Sequence, residues 1–102
     1  MNLKKRYKLI MKKITDYIKL LKYEKDISKN VDLIVILGST KGFIGDLING
    51  KKKISTSKCL ILAEELKIKP EIILLTMLYE KEKDIESKEK LKKIIQRIEE
   101  NQ

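Results

Sequence analysis

Gly38-Ser39-Thr40-Lys41-Gly42-Phe43-Ile44-Gly45-Asp46-Leu47-Ile48-Asn49-Gly50 holds all four glycines of the chain, and Lys51-Lys52-Lys53 follows directly. The apolar stretch Val31 to Leu37 stops at Gly38, where a glycine can turn the backbone through a conformation that other residues avoid. Thr40 stands where an N-cap belongs, so a new helix is expected from about Lys41. Ile44, Leu47 and Ile48 share the inner side of that helix. Asn49-Gly50 is a good left-handed stop. Helix, glycine turn, short second helix and basic exit make a helix-turn-helix over residues 28–50.

The same spacing of helices extends outward. Leu3, Tyr7, Ile10, Ile14, Tyr17 and Leu21 recur at steps of four and three, which predicts an amphipathic helix over residues 3–24 with a break near Lys13. Residues 1–13 form a basic N-terminal extension carrying Lys4, Lys5, Arg6, Lys8, Lys12 and Lys13. That extension reads either as the solvated face of a core helix, or as an arm on phosphates, a dimer seam or a membrane-surface helix. Ser28 can cap the helix Lys29 to Leu37. One of Ser55, Thr56 and Ser57 caps a helix ending near Leu66. Pro70 suits the first turn of a helix running to about Lys83, with Glu71 near its positive end. Ser87 is expected to cap a last helix over 87–102, with Leu91, Ile94, Ile95 and Ile98 as its apolar stripe, which reads equally as a pairing surface for a second copy or as packing back on Ile72, Leu75 and Tyr79. No strand pattern, internal repeat or long linker interrupts this series. The expected fold is therefore all-α, a single domain of five or six helices over residues 1–102.

Charge separates the two halves. The chain has a net charge of +9. Residues 1–58 hold 15 Lys+Arg against 5 Asp+Glu, whereas residues 59–102 hold 9 against 10. The basic charge thus sits with the helix-turn-helix and what precedes it, the pattern expected of a half that meets phosphates. A lysine-rich solvated surface is the plain alternative.

Little in the sequence supports catalysis, and the chain is not expected to be an enzyme. There is no histidine, so the commonest general base and metal ligand is missing. Cys59 is the single cysteine and falls with Leu62, Ala63 and Leu66 on one helix side, which reads as a buried thiol. The carboxylates Glu64, Glu65, Glu80, Glu82, Asp84 and Glu86 alternate with lysines as solvated faces do. Gly38 to Gly45 lacks the spacing and the closing Lys-Ser/Thr of a phosphate loop. No metal or cofactor site is expected. No apolar run is long enough to span a membrane, and Met1 to Lys13 is too charged for a signal peptide. The expected location is the cytoplasm of a bacterial host, with no membrane partner.

The helix-turn-helix resembles that of the phage lambda repressor and Cro group. Gly38, Ile44 and Leu47 match the group's turn glycine and its two following apolar positions, and Ile44-Gly45-Asp46-Leu47-Ile48-Asn49-Gly50 is similar to the end of its recognition helix. Ser57 to Leu75, reading SKCLILAEELKIKPEIILL, resembles the group's fourth and fifth helices. Leu78 to Ile98 is similar to short prophage-encoded regulators. The resemblance covers residues 14–98. It departs at Ile34, where the group usually has a small residue at a helix crossing, and at Ser39, usually apolar. It implies a sequence-specific DNA-binding transcriptional regulator, a repressor of phage or mobile-element type, acting on double-stranded DNA as a homodimer. The DNA-facing set would be Thr40, Lys41, Gly42, Gly45, Asp46, Asn49, Lys51, Lys52 and Lys53. Of the base-facing positions only Lys41 and Asn49 retain obvious chemistry for guanine, adenine or phosphate, while Asp46 can accept from cytosine. Direct readout is thin, so specificity is expected to lean on DNA shape, on the basic N-terminal segment or on a paired subunit. The alternative is a helical protein-interaction module, a phage-encoded inhibitor that keeps the scaffold and binds a host protein.

Overall fold

The computed structural model describes residues 12–27, 30–38, 41–50 and 53–101, which contain six α-helices and no strand. They are α1 (Ile14–Glu24), α2 (Asn30–Leu37), α3 (Lys41–Ile48), α4 (Thr56–Leu66), α5 (Pro70–Lys81) and α6 (Ile85–Glu100). The all-α expectation holds.

Each helix is built from its apolar period. In α1, Ile14, Tyr17, Ile18 and Leu21 are buried. They meet Leu33 and Leu37 of α2, Ile44 and Leu47 of α3, and Cys59, Leu62 and Leu66 of α4 in one continuous core. Ile72, Ile73 and Met77 of α5 and Ile95 of α6 extend it. Helix α6 packs on α5, α5 on α4, and α1 lies against α3, α4 and α5. The helix-turn-helix pair α2–α3 therefore rests on α1 and α4, while α6 packs on α5.

Helix ends account for most differences from the expectation. The helix expected over 3–24 is seen from Ile14; Leu3, Tyr7 and Ile10 lie outside the described residues. Lys13 occupies the N-cap position of α1. A lysine side chain cannot accept a hydrogen bond, so other groups close this end. The Asp16 carboxylate accepts from Lys13 N–H at 2.8 Å, and Glu80 Oε2 of α5 accepts from Ile14 N–H at 2.9 Å. The expected cap Ser28 lies outside the described residues. Ser55 caps α4, accepting from Lys58 N–H. Pro70 opens α5 as expected, but that helix ends at Lys81, not Lys83.

Ser87 is not the cap of the last helix; Asp84 is. Asp84 Oδ2 accepts from Ser87 N–H at 2.9 Å and from Ser87 Oγ–H at 2.7 Å. A carboxylate is the stronger acceptor and its charge suits the positive helix end, so the helix begins three residues earlier than Ser87 alone would set it. These two bonds also hold the exposed Asp84 carboxyl below its ordinary value of 3.8.

Two buried polar groups are satisfied locally. Thr76 Oγ1 donates to the Ile72 carbonyl at 2.7 Å. The buried Cys59 thiol faces Met77 Sδ at 3.6 Å. Loss of water around Cys59 pushes its pKa up to about 11, with Lys81 pulling the other way and Glu80 adding to the rise. The thiol is thus neutral and unreactive at pH 7, in keeping with its expected place in the core.

Candidate nucleic-acid interface

Helix α3 is short and intrinsically weak. It has eight residues, two of them interior glycines, each costing roughly 1 kcal/mol relative to alanine. Isolated segments of this length do not hold a helix. Two anchors on its inner side hold it, Ile44 and Leu47, both buried. Ile48 and Phe43 are half-buried at its flanks.

Backbone geometry sets where α3 starts and stops. Gly38 has φ +62° and turns the chain out of α2. Gly50 has φ +75°, and its N–H donates to the Leu47 carbonyl at 3.2 Å. Both positions suit glycine because a Cβ is strained in the left-handed region.

Gly42 and Gly45 need a different explanation. Neither has positive φ, and a Cβ built on either meets no atom within 4 Å. Neither turn geometry nor close packing among the described residues requires a glycine there. They leave α3 without side chains at these two positions of its outer side.

The expected site residues fall into three groups. Gly42 and Asn49 are exposed on the outer side of α3. Gly45 and Asp46 also face away from Ile44 and Leu47, but they are half-buried at the border of that face rather than fully outward, as a two-turn helix wedged against α1 and α2 allows. Lys53 is exposed and lines a small cleft with Leu47 and Gly50, which puts it beside the C-terminal end of α3. Lys41 is the first residue of α3, and its side chain lies outside what is described. Thr40, Lys51 and Lys52 lie outside the described residues.

Two features of this region were not legible in the sequence. Lys58, in the first turn of α4, places its ammonium 5.5 Å from the centre of the Phe43 ring. This cation–π contact ties a basic group to the flank of α3. The only sequence signal was an aromatic residue inside the helix-turn-helix, with nothing to name its partner. The second is the cleft beside Lys53, which Ile14, Thr15, Ile54, Met77 and Glu80 complete. At about 40 Å³ it is far below the roughly 300 Å³ of a small-molecule site.

Among the described residues, no helix is long and apolar enough to cross a membrane. Family models, curated proteins and solved structures give no match to the chain.

Proposed function

We propose that the chain is a sequence-specific DNA-binding transcriptional regulator, a repressor of phage or mobile-element type, that lays α3 in the major groove. The observation that carries this reading is the outer face of α3. It is anchored from within by Ile44 and Leu47, and it is cleared of side chains at Gly42 and Gly45 at a cost in helix stability that no contact among the described residues demands. The charge distribution supports the same reading. The half of the chain that contains α3 holds 15 basic against 5 acidic residues, the balance that draws a protein to a polyanion. In this reading Lys41 and Asn49 contact bases or phosphates, and Lys51, Lys52 and Lys53 sit along the backbone. Such a thin set of base contacts discriminates poorly as one copy, so the regulator acts as a homodimer on half-sites about one helical turn apart.

Affinity for duplex DNA is the test. Its logarithm should fall steeply with log salt, by about 0.9 per phosphate neutralised, and changing Lys51, Lys52 and Lys53 together to alanine should flatten that slope. Absence of duplex binding at low salt overturns the reading. One observation favours a host-protein partner instead: Val35 on α2 is 80% exposed and Asp46 borders the α3 face. Capture of a protein partner with weak salt dependence, in place of DNA binding, would select that alternative.

A further inference from the structure

Phe43 of α3 and Lys58 of α4 meet at the flank of α3, with the Lys58 ammonium 5.5 Å from the centre of the ring. Phe43 is half-buried and packs against the core, so its ring is a fixed surface. Lys58 is half-buried as well, as expected of a lysine that lays its stem on the protein and keeps its charge in water. On internal grounds this is a poor place for a cation. Lys58 stands in the first turn of α4, where the positive helix end disfavours it, and that turn holds no acid. Lys25 and Lys90 are answered by Glu65 and Glu86 at 3.3 and 3.6 Å, whereas Lys58 meets no carboxylate among the described residues.

We propose that Lys58 is a further DNA contact: its ammonium, carried on the Phe43 ring, meets a backbone phosphate at the edge of the groove that receives α3. This contact rests on the DNA-binding reading and adds to it a residue outside both the helix-turn-helix and the Lys51-Lys52-Lys53 run. Lys58 belongs to the neighbouring helix and not to the one that enters the groove, so the phosphate backbone is what it can reach. Its compact point charge suits a phosphate. A free lysine loses rotamer freedom on binding, and one already resting on a ring loses less. Phe43 is thus a positioning residue. Because the ring belongs to α3 itself, it fixes the charge relative to the helix that reads the groove. A phosphate contact carries no sequence information, so Lys58 adds affinity and sets how α3 sits, not which bases it reads.

Binding of the full chain to a random-sequence DNA duplex, titrated with salt, tests it. Lys58→Met keeps the stem and removes the charge. It should lower the slope of log affinity against log salt by about 0.9, which at about 0.1 M salt is roughly a tenfold loss, with the helical circular dichroism unchanged. Lys90→Met, on α6, removes the same charge elsewhere and should leave the slope as it is. Phe43→Leu keeps an apolar side chain against the core and takes away the ring. It should weaken wild-type binding without changing the slope, have no effect in the Lys58→Met background, and be rescued by Phe43→Tyr, which keeps a ring. A slope that Lys58→Met does not change, or that Lys90→Met lowers as much, overturns the phosphate contact. Equal loss from Phe43→Leu in both backgrounds, or a Phe43→Tyr protein that binds like Phe43→Leu, overturns the positioning role. The two readings fail separately: a wild type that does not bind the duplex removes the DNA reading and this contact with it, whereas wild-type binding with an unchanged Lys58→Met slope counts against Lys58 alone.

Discussion

Lys67 has φ +56°, a left-handed backbone on a residue with a Cβ. It terminates α4 in a Schellman arrangement, with Lys67 N–H donating to the Glu64 carbonyl and Ile68 N–H to the Ala63 carbonyl. Asp26, at φ +53°, ends α1 in the same way, with Ile27 N–H reaching back to Lys22. Gly50 does it with the residue suited to it. Lys67→Gly should therefore stabilise the protein by about 0.5–1 kcal/mol, and Gly50→Ala should destabilise it by about 1 kcal/mol. Thermal melts check both, and equal melting of all three proteins would show that the left-handed turns carry no strain. Gly45→Ala separates stability from recognition. With open space at the Cβ, it should raise stability by up to about 1 kcal/mol, yet weaken DNA binding if the smooth face of α3 meets the groove. A gain in both would remove the functional reason for the glycine. Gly38 and Gly50 were legible as turns because a glycine beside an apolar period has one usual meaning. Asp26 and Lys67 were not, because the sequence marks neither with glycine or asparagine.

Among the elements, α3 depends most on its surroundings. Leu47→Ala removes one of its two buried anchors and should cost about 2–5 kcal/mol; denaturant titration measures it, and a loss under about 1 kcal/mol would mean that the helix is held by other contacts. Helix α6 starts on the Asp84 carboxylate, which gives a sign for its pH response. Its pKa is lowered in the folded chain, so the cap's contribution is complete above the ordinary carboxyl value and is lost as pH falls through the lowered one. Asp84→Asn, which keeps an acceptor without the charge, should lower the melting temperature at neutral pH and lose most of that difference in strong acid. A difference that is constant with pH would place the cap's effect elsewhere. Periodicity gave the helices their existence and inner faces, since Ile14, Tyr17 and Leu21 of α1 and Cys59, Leu62 and Leu66 of α4 recur at helical steps and are all buried. The starts of α1 and α6 were harder to read, because Glu80 acts on α1 from α5 and Asp84 outcompetes Ser87 only through its charge.

For the whole molecule, the sequence left open whether the last helix belongs to the core or to a second subunit. Ile95 is fully buried against α5, and Ile94, one position before it, is exposed. Truncation after Glu86 should therefore lower stability, measured by melting; a truncated chain as stable as wild type would show that Ile95 contributes nothing. Pairing across sequence-distant elements, such as Lys58 over Phe43, could not be read from local spacing. The longest of these links bears on how the chain is made. Ile14 opens α1, yet its N–H is satisfied by Glu80, 66 residues further on. A ribosome delivers α1 long before Glu80 exists, so during synthesis the Ile14 N–H lacks this partner, and α1, the first of the described helices, is among the last to be completed.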